Sequence, residues 1–237
     1  MSILPNVDAT TVRRARRLLE PLARYHRFRL EGAENLPRSG PVLLVVHHTL
    51  ATYDGLLLAV AIQDATGRLP VGLGDDRIFQ IPWLSDLASR VGMVPASPEA
   101  GEQILRAGGI LGVAPGGMWE SIRPRNERRH SRWEGRFGFA RLALRCAAPI
   151  VVAGCPAGDD IYTVYPSRVT DALYRRFHLP APLVRGLGPT LLPRRVPLVG
   201  YVGAPLVPPV WQPDQEDEQV RVLHEAACAR MEELLAR

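Results

Sequence analysis

Val42-Leu43-Leu44-Val45-Val46-His47-His48-Thr49-Leu50-Ala51-Thr52-Tyr53-Asp54, leading into Gly55–Gln63 (GLLLAVAIQ), holds most of what the chain says about its architecture. Five bulky apolar residues without polar alternation form a strand buried on both faces, which happens where helices cover a sheet from both sides. The apolar run that follows has the length of a buried helix. The same alternation continues outward. Downstream, Val71–Leu73 is a weak strand, and Ile81, Leu84, Leu87, Ala88 and Val91 form one helical stripe. Ser97 opens a helix to Arg106, with Glu99 and Glu102 in the early turns that the helix dipole favours. Ile110–Ala114 is a strand, Phe137–Arg145 a helix, Pro149–Ala153 a strand, and residues 161–165 another. Residues 168–195, with Pro180, Pro182, Pro189 and Pro193, read as irregular. Pro197–Val202 is a late strand, and Asp214 caps a last helix whose Val220, Leu223, Ala227, Met231 and Leu234 face inward. Upstream, Arg27–Glu31 is a short strand, and Asp8 or Thr10 caps a helix to about Arg24.

This pattern predicts an α/β fold: a single domain with a mostly parallel central sheet flanked by helices, preceded by an N-terminal amphipathic helix. The helix occupies 1–27 and the domain 28–237, ending in the helix at 214–236. With 237 residues, 46% of them hydrophobic, the chain buries one sizeable core. Charged residues are only 22%, which excludes intrinsic disorder, and the 21 Gly and 22 Pro show no period. All 29 basic residues are Arg against 24 acids, a net charge of +5. Lysine chemistry is therefore excluded, including Schiff bases and the P-loop lysine. Cys146, Cys155 and Cys228 are too few and too widely spaced for a disulfide framework or a CxxC metal site, and suit a reducing compartment. The start of the chain places its charge after a short apolar stretch, the reverse of a secretory signal. No run is free enough of Pro, His and Asp to span a bilayer. A cytoplasmic protein is expected.

Of the six histidines, His26, His130, His178 and His224 stand alone, where a structural or surface role is the ordinary reading. His47 and His48 follow directly on the buried strand, at the carboxyl end where α/β proteins place ligands. Asp54 comes six residues after His48, at the start of a helix. A turn of that length brings the carboxylate back toward the imidazole, where it would fix the tautomer of a general base. A second candidate is Gly112-Val-Ala-Pro115-Gly116-Gly117-Met118-Trp119-Glu120. Its glycines let backbone N–H groups approach an anion, and Glu120 is placed to bind a hydroxyl. A plain strand-to-helix turn would use glycines too.

The pair His48…Asp54 with Pro115-Gly116-Gly117-x-x-Glu120 resembles the glycerolipid acyltransferase superfamily, whose hallmarks are a His-x4-Asp motif and a later Glu-Gly or Pro-Gly-Gly-x-x-Glu motif. Further blocks look alike in order: Glu31-Gly32 to Pro37 and the strand after Gly40-Pro41; Arg77-Ile-Phe79-x-x-Pro82 with Gly92-Met-Val-Pro95; Arg136-x-Gly138-Phe139-Ala140-Arg141 with Pro149-Ile150; and Gly203-x-Pro205. The likeness covers roughly residues 28–210. Here five residues separate His from Asp, and the Pro-Gly-Gly form is nearest to the branch related to diacylglycerol acyltransferases. The arginine that usually ends the second motif is absent as such: Ser121 follows Glu120, and the nearest is Arg123. Position 152 is Val where the family often has Pro.

The resemblance implies acyl transfer from a thioester, acyl-CoA or acyl-carrier protein, to the hydroxyl of a glycerolipid or other lipid acceptor. His48 would be the general base and Asp54 its orienting partner; Pro115, Gly116, Gly117 and Glu120 would hold the acceptor, and Arg77 and Arg136 would bind phosphates. No cofactor and no metal is implied. A membrane surface is an expected partner, with the protein peripheral on its inner face. Two stretches fit that expectation. One is the first helix, with Arg13, Arg14, Arg16 and Arg17 on its outer faces; the same pattern also fits the solvated face of a packed helix. The other is segment 173–195, where Leu173, Tyr174, Phe177, Leu179, Leu183, Val184, Leu187, Leu191 and Leu192 mix with arginines. The Arg-rich loop Arg123–Arg136 would grip phosphates or stand solvated. Thioester hydrolysis, non-catalytic lipid binding and nucleic-acid binding are the competing readings. The last lacks a recognition motif and interleaved aromatics, so no nucleic acid is expected.

Overall fold

Alternation within the buried strands sets the two faces of the sheet. Leu43, Val45, Leu111, Val113, Ile150 and Val152 share one core cluster with residues of three helices on that side. Val42, Leu44, Ile110, Val151 and Ala153 point the other way, onto Leu58 and Ile62 of a single helix. Each apolar run thus serves both layers, as a strand buried on both faces must. The computed structural model describes residues 4–178 and 180–237; Leu179, one of the apolar residues of segment 173–195, lies outside them.

In chain order the elements are α1 (Ala9–Tyr25), β1 (Arg29–Glu31), β2 (Val42–Val46), α2 (Tyr53–Thr66), β3 (Pro70–Gly74), α3 (Asp76–Phe79), α4 (Pro82–Arg90), β4 (Met93–Pro95), α5 (Pro98–Arg106), β5 (Ile110–Val113), α6 (Gly117–Ser121), α7 (Gly138–Arg145), β6 (Ile150–Gly154), β7 (Thr163–Tyr165), α8 (Arg168–Phe177), β8 (Leu183–Arg185), β9 (Val199–Val202) and α9 (Glu216–Leu235). Seven strands form one sheet in the order β1-β9-β6-β2-β5-β3-β4. Its neighbours run parallel except β6 and β9, which are antiparallel. β7 and β8 form a separate antiparallel pair. The architecture is the single α/β domain, with a mostly parallel sheet and an N-terminal helix, that the sequence predicts.

Several boundaries follow from capping. Asp8 caps α1, its carboxylate accepting from the Thr11 N–H at 2.7 Å, and Ser97 caps α5 through Ala100 at 3.1 Å. Segment 168–195 is not irregular. Ser167 caps a ten-residue helix, and the prolines lie beyond its end, Pro180 and Pro182 before β8 and Pro189 and Pro193 after it. β4 has no clear signature in the sequence, because three residues carry too little pattern to mark a strand. Helix α1 packs on α2 and α4. Arg16 forms a forked pair with Asp64 of α2 at 2.6 and 2.7 Å, and Leu19 and Ala23 join the core around Leu57, Ile161 and Leu198. No helix of the described residues is long and apolar enough to cross a membrane.

Candidate active site

Strands β2, β5, β3 and β6 are mutually parallel through shared neighbours, so their carboxyl ends open at one edge of the sheet. His47 and His48 leave β2 there, Ala114–Gly117 leaves β5, Asp75–Arg77 leaves β3, and residues 155–160 leave β6. Helix α7 runs back toward the start of β6, which places Arg136, two residues before the helix, at the same end.

The turn 47–52 folds tightly: the Thr52 N–H donates to the Thr49 carbonyl, and Thr52 sits at φ 59°, a left-handed conformation uncommon for a β-branched residue. His48 is half-buried. Its Nδ1 lies 3.0 Å from the Thr49 carbonyl. A carbonyl only accepts, so Nδ1 carries the proton and Nε2 keeps its lone pair. Burial lowers the pKa of this imidazole, the Thr49 carbonyl opposes that shift, and the Arg123 charge adds to it. The neutral, basic form is therefore the one present at neutral pH.

Asp54 does not make the direct contact with His48 that the spacing suggests. It is buried, and its Oδ1 accepts from the Thr49 hydroxyl at 2.8 Å. Thr49 thus stands between the pair, its carbonyl on the imidazole and its hydroxyl on the carboxylate. Burial pushes the Asp54 carboxyl up to about 6, against the hydrogen bonds from Thr49 and the Gly55 N–H.

Beneath His48 lies a buried polar group in which Arg123 is the hub. Its guanidinium donates to the His48 carbonyl at 2.7 Å, to both oxygens of Asp159 at 3.0 and 2.9 Å, and to His47 Nε2. Nη2 also lies 3.1 Å from Glu120 Oε1. His47 must accept at Nε2, so it is neutral with its proton on Nδ1. Burial first, then the charge of Arg123, hold its pKa well below the ordinary imidazole value. Neither Asp159 nor the role of Arg123 was legible beforehand, because burial of an arginine leaves no mark on its own sequence. Two signals existed: the i, i+3 spacing from Glu120 to Arg123, and the Asp159-Asp160 pair just after a fully apolar strand.

The glycine turn behaves differently from the expectation. Glu120 borders no open space. It is wholly buried, with Oε2 accepting from Trp133 Nε1 at 3.1 Å, and burial pushes its carboxyl up to about 7 against the pull of Arg123. Gly116 is required by close packing, since a Cβ there would overlap Glu120 and crowd the Arg132 carbonyl. Gly117, at φ 51°, borders open space, and its N–H is engaged with the Ala114 carbonyl at 3.0 Å. Pro115 is half-buried in the same turn. A cavity of about 180 Å³ beyond it is lined by Trp119, Ile122, Arg132, Tyr165, Thr170 and Arg175 among others; His48 is not in its wall.

The Arg-rich loop is largely occupied by the chain's own acids. Arg128 and Arg129 pair with Asp160 at 2.5 and 3.0 Å, while Arg132 pairs with Glu127 and lies over Trp119. Arg136 is exposed. Arg77, also exposed, donates to the His178 carbonyl at 3.2 Å. Cys155 is buried, and its thiol is pushed well up by burial, so it offers no nucleophile.

Comparison with known proteins bears on family and fold. Residues 27–155 match the Acyltransferase family. An uncharacterized protein of Mycobacterium tuberculosis is 31% identical over 207 residues, covering 82% of this chain and 54% of that protein. The Homo sapiens and Bos taurus proteins named "DGAT1/2-independent enzyme synthesizing storage lipids" are each 27% identical over 184 residues, covering 77% of this chain and 54% and 53% of theirs, respectively. The chain thus spans about half the length of these relatives. Among solved structures, the 1-acyl-sn-glycerophosphate acyltransferase PlsC from Thermotoga maritima superposes with a TM-score of 0.54 at 14% identity, over 95% of this chain and 83% of that one. That likeness is one of fold. With its family match running from the lead-in strand to the end of β6, the chain belongs to the Acyltransferase family.

Proposed function

We propose that the protein transfers a fatty acyl group from an acyl thioester to a hydroxyl of a lipid acceptor, with His48 as general base. One observation carries the reading: His48 stands at the open end of a buried strand with Nδ1 protonated against the Thr49 carbonyl, leaving Nε2 basic. The acceptor hydroxyl gives its proton to Nε2 as its oxygen attacks the thioester carbonyl. The C–S bond then breaks, and the departing thiolate takes the proton back from the imidazolium. Asp54 contributes through Thr49, a positioning role rather than a direct one. Arg77 and Arg136, both exposed at this edge, would hold phosphates of the donor, and Gly117 leaves room beside it. Glu120 supports the turn from below. A neutral glycerolipid is the favoured acceptor, because the relatives named for storage-lipid synthesis cover three quarters of the chain.

The test is lipid mass spectrometry of protein incubated with acyl-CoA and a panel of lysolipids, monoacylglycerol, diacylglycerol and long-chain alcohols. An acylated lipid should form together with free CoA, and His48→Ala should lower kcat by about 10²–10⁴-fold. Wild-type turnover by His48→Ala would remove the assignment. Free CoA without any acylated lipid would replace transferase by thioester hydrolase.

A further inference from the structure

Two helices of this molecule have a clear apolar stripe bordered by arginine, and the fold treats them differently. In α1 the stripe is half-buried against α2 and α4. In α8, Val169, Leu173 and Phe177 recur at i, i+4 and i+8, yet Val169 is 68% and Phe177 63% exposed. The helix packs through the adjacent side, where Thr170 donates to the Ala181 carbonyl at 2.8 Å and Tyr174 stacks on Trp119 at 5.1 Å, and Leu173 between the two is half-buried.

The chain after β8 extends the same apolar character into a fixed tip. The Gly186 N–H donates to the Thr190 carbonyl at 2.6 Å, the Leu187 N–H to the Leu192 carbonyl at 2.8 Å, and the Thr190 hydroxyl to the Leu187 carbonyl at 2.7 Å. Only glycine fits at 186, because a Cβ would overlap the Leu192 carbonyl. Arg194 clamps the base, donating to the Asp160 carbonyl at 3.1 Å, the Thr163 hydroxyl at 2.8 Å and the Arg185 carbonyl at 3.1 Å. Held this way, Leu187, Leu191 and Leu192 are each more than half exposed. A loop that orders its backbone in order to present leucines to water is built for an apolar medium.

We propose that residues 168–178 and 180–192 form the surface by which this protein inserts into an anionic lipid bilayer, with the leucine tip and the α8 stripe entering the acyl region and Arg175, Arg176 and Arg185 meeting the headgroups. The charge of the segment selects this occupant: four arginines stand against one aspartate, and basic residues around an apolar face are what an anionic leaflet attracts. Its position fits delivery of a lipid. The end of α8 touches the carboxyl edge of the sheet through the bond from Arg77 to the His178 carbonyl. The delivery role rests on the acyltransferase reading; the docking itself does not.

The experiment is flotation of the full chain with vesicles of phosphatidylcholine alone or with phosphatidylglycerol. Wild-type protein should float with the phosphatidylglycerol vesicles. Leu187→Ser/Leu191→Ser should abolish flotation, and Arg175→Gln/Arg176→Gln should weaken it by roughly fivefold per charge removed. Both variants should keep the wild-type circular dichroism, melting temperature and turnover of a water-soluble short-chain acceptor. Unchanged flotation of these variants would overturn the proposal. So would flotation lost only on neutralising Arg13 and Arg17 of α1. A tip variant that changes the oligomeric mass in the absence of lipid would likewise overturn it, marking the face as a protein interface. Flotation reads no chemistry. An inactive protein that floats by its tip would therefore sink the acyltransferase reading alone, and an active one that floats without the tip would sink only the docking surface.

Discussion

At the scale of single residues, the state of His48 is set by three neighbours acting on different atoms. The Thr49 carbonyl fixes the proton on Nδ1, burial disfavours the cation, and the Arg123 guanidinium beneath disfavours it further. A general base works only while its lone pair is free, so activity falls as pH drops through the pKa of this imidazole. Because that pKa lies below 6.5, the acid limb of kcat/KM must lie below pH 6.5, and at pH 6.5 the protein should keep more than half of its plateau rate. A pH–rate profile with a soluble acceptor checks this. An acid limb centred at or above pH 7 would mean that the titrating group is not His48 in the environment described. Asp54 cannot supply the opposite shift, since its carboxylate meets the Thr49 hydroxyl and not the ring.

At the scale of elements, the turn after β6 is fitted against the turn after β2 with no space between them. A Cβ on Gly158 would stand 2.6 Å from Asp54 Oδ2 and 2.9 Å from Thr49 Cγ2. Gly158→Ala should therefore push Thr49 and Asp54 aside. It should cost about 1–3 kcal/mol, the usual penalty for overpacking, and lower kcat, because Thr49 carries the bond to His48. Gly138→Ala is the control: it sits in the first turn of α7 with open space around it, so it should leave kcat unchanged and raise stability by about 0.4–1 kcal/mol. Thermal melts and initial rates of both variants decide the matter; equal kcat for Gly158→Ala and wild type would separate the two turns functionally. What the sequence discloses at this scale follows from locality. β2, β5 and β6 are legible because runs such as VLLVV can bury two faces only as central strands. Helix α8 had its signal, Ser167 before Val169, Leu173 and Phe177, but the prolines after Phe177 dominated the reading. The hub at Arg123 depends on bonds across 36 to 76 residues, to Asp159, the His48 carbonyl and His47, and no short pattern encodes them; the bridge through Thr49 is local, but a Thr between the His and the Asp does not by itself announce it.

At the scale of the whole molecule, the part that matches the family and the part that folds are not the same. Residues 27–155 carry β1 through β6, but β1 pairs only with β9 within the described sheet, and β6 needs β9 on its outer side. Helix α9 closes one face of the sheet by burying Val220, Leu223, Met231, Leu234 and Leu235 in the core shared with Leu43, Leu111 and Ile150. At about 1.5–3 kcal/mol for each fully buried aliphatic side chain, losing those five contacts is comparable to the whole net stability of a domain, about 5–15 kcal/mol. The loop that carries Trp133 is tied to α9 as well, through His224 Nε2 and the Trp133 carbonyl at 3.1 Å, and Trp133 in turn holds Glu120. A chain ended after Cys155 should therefore show no cooperative transition in a urea titration followed by tryptophan fluorescence, while the full chain unfolds in one step. Sigmoidal unfolding of the truncated chain, with near-ultraviolet circular dichroism like that of the intact protein, would show instead that the sheet closes without β9 and α9. Arg123 would still lose Asp159 in that chain, so the support reaching His48 through it would rest on Glu120 and His47 alone.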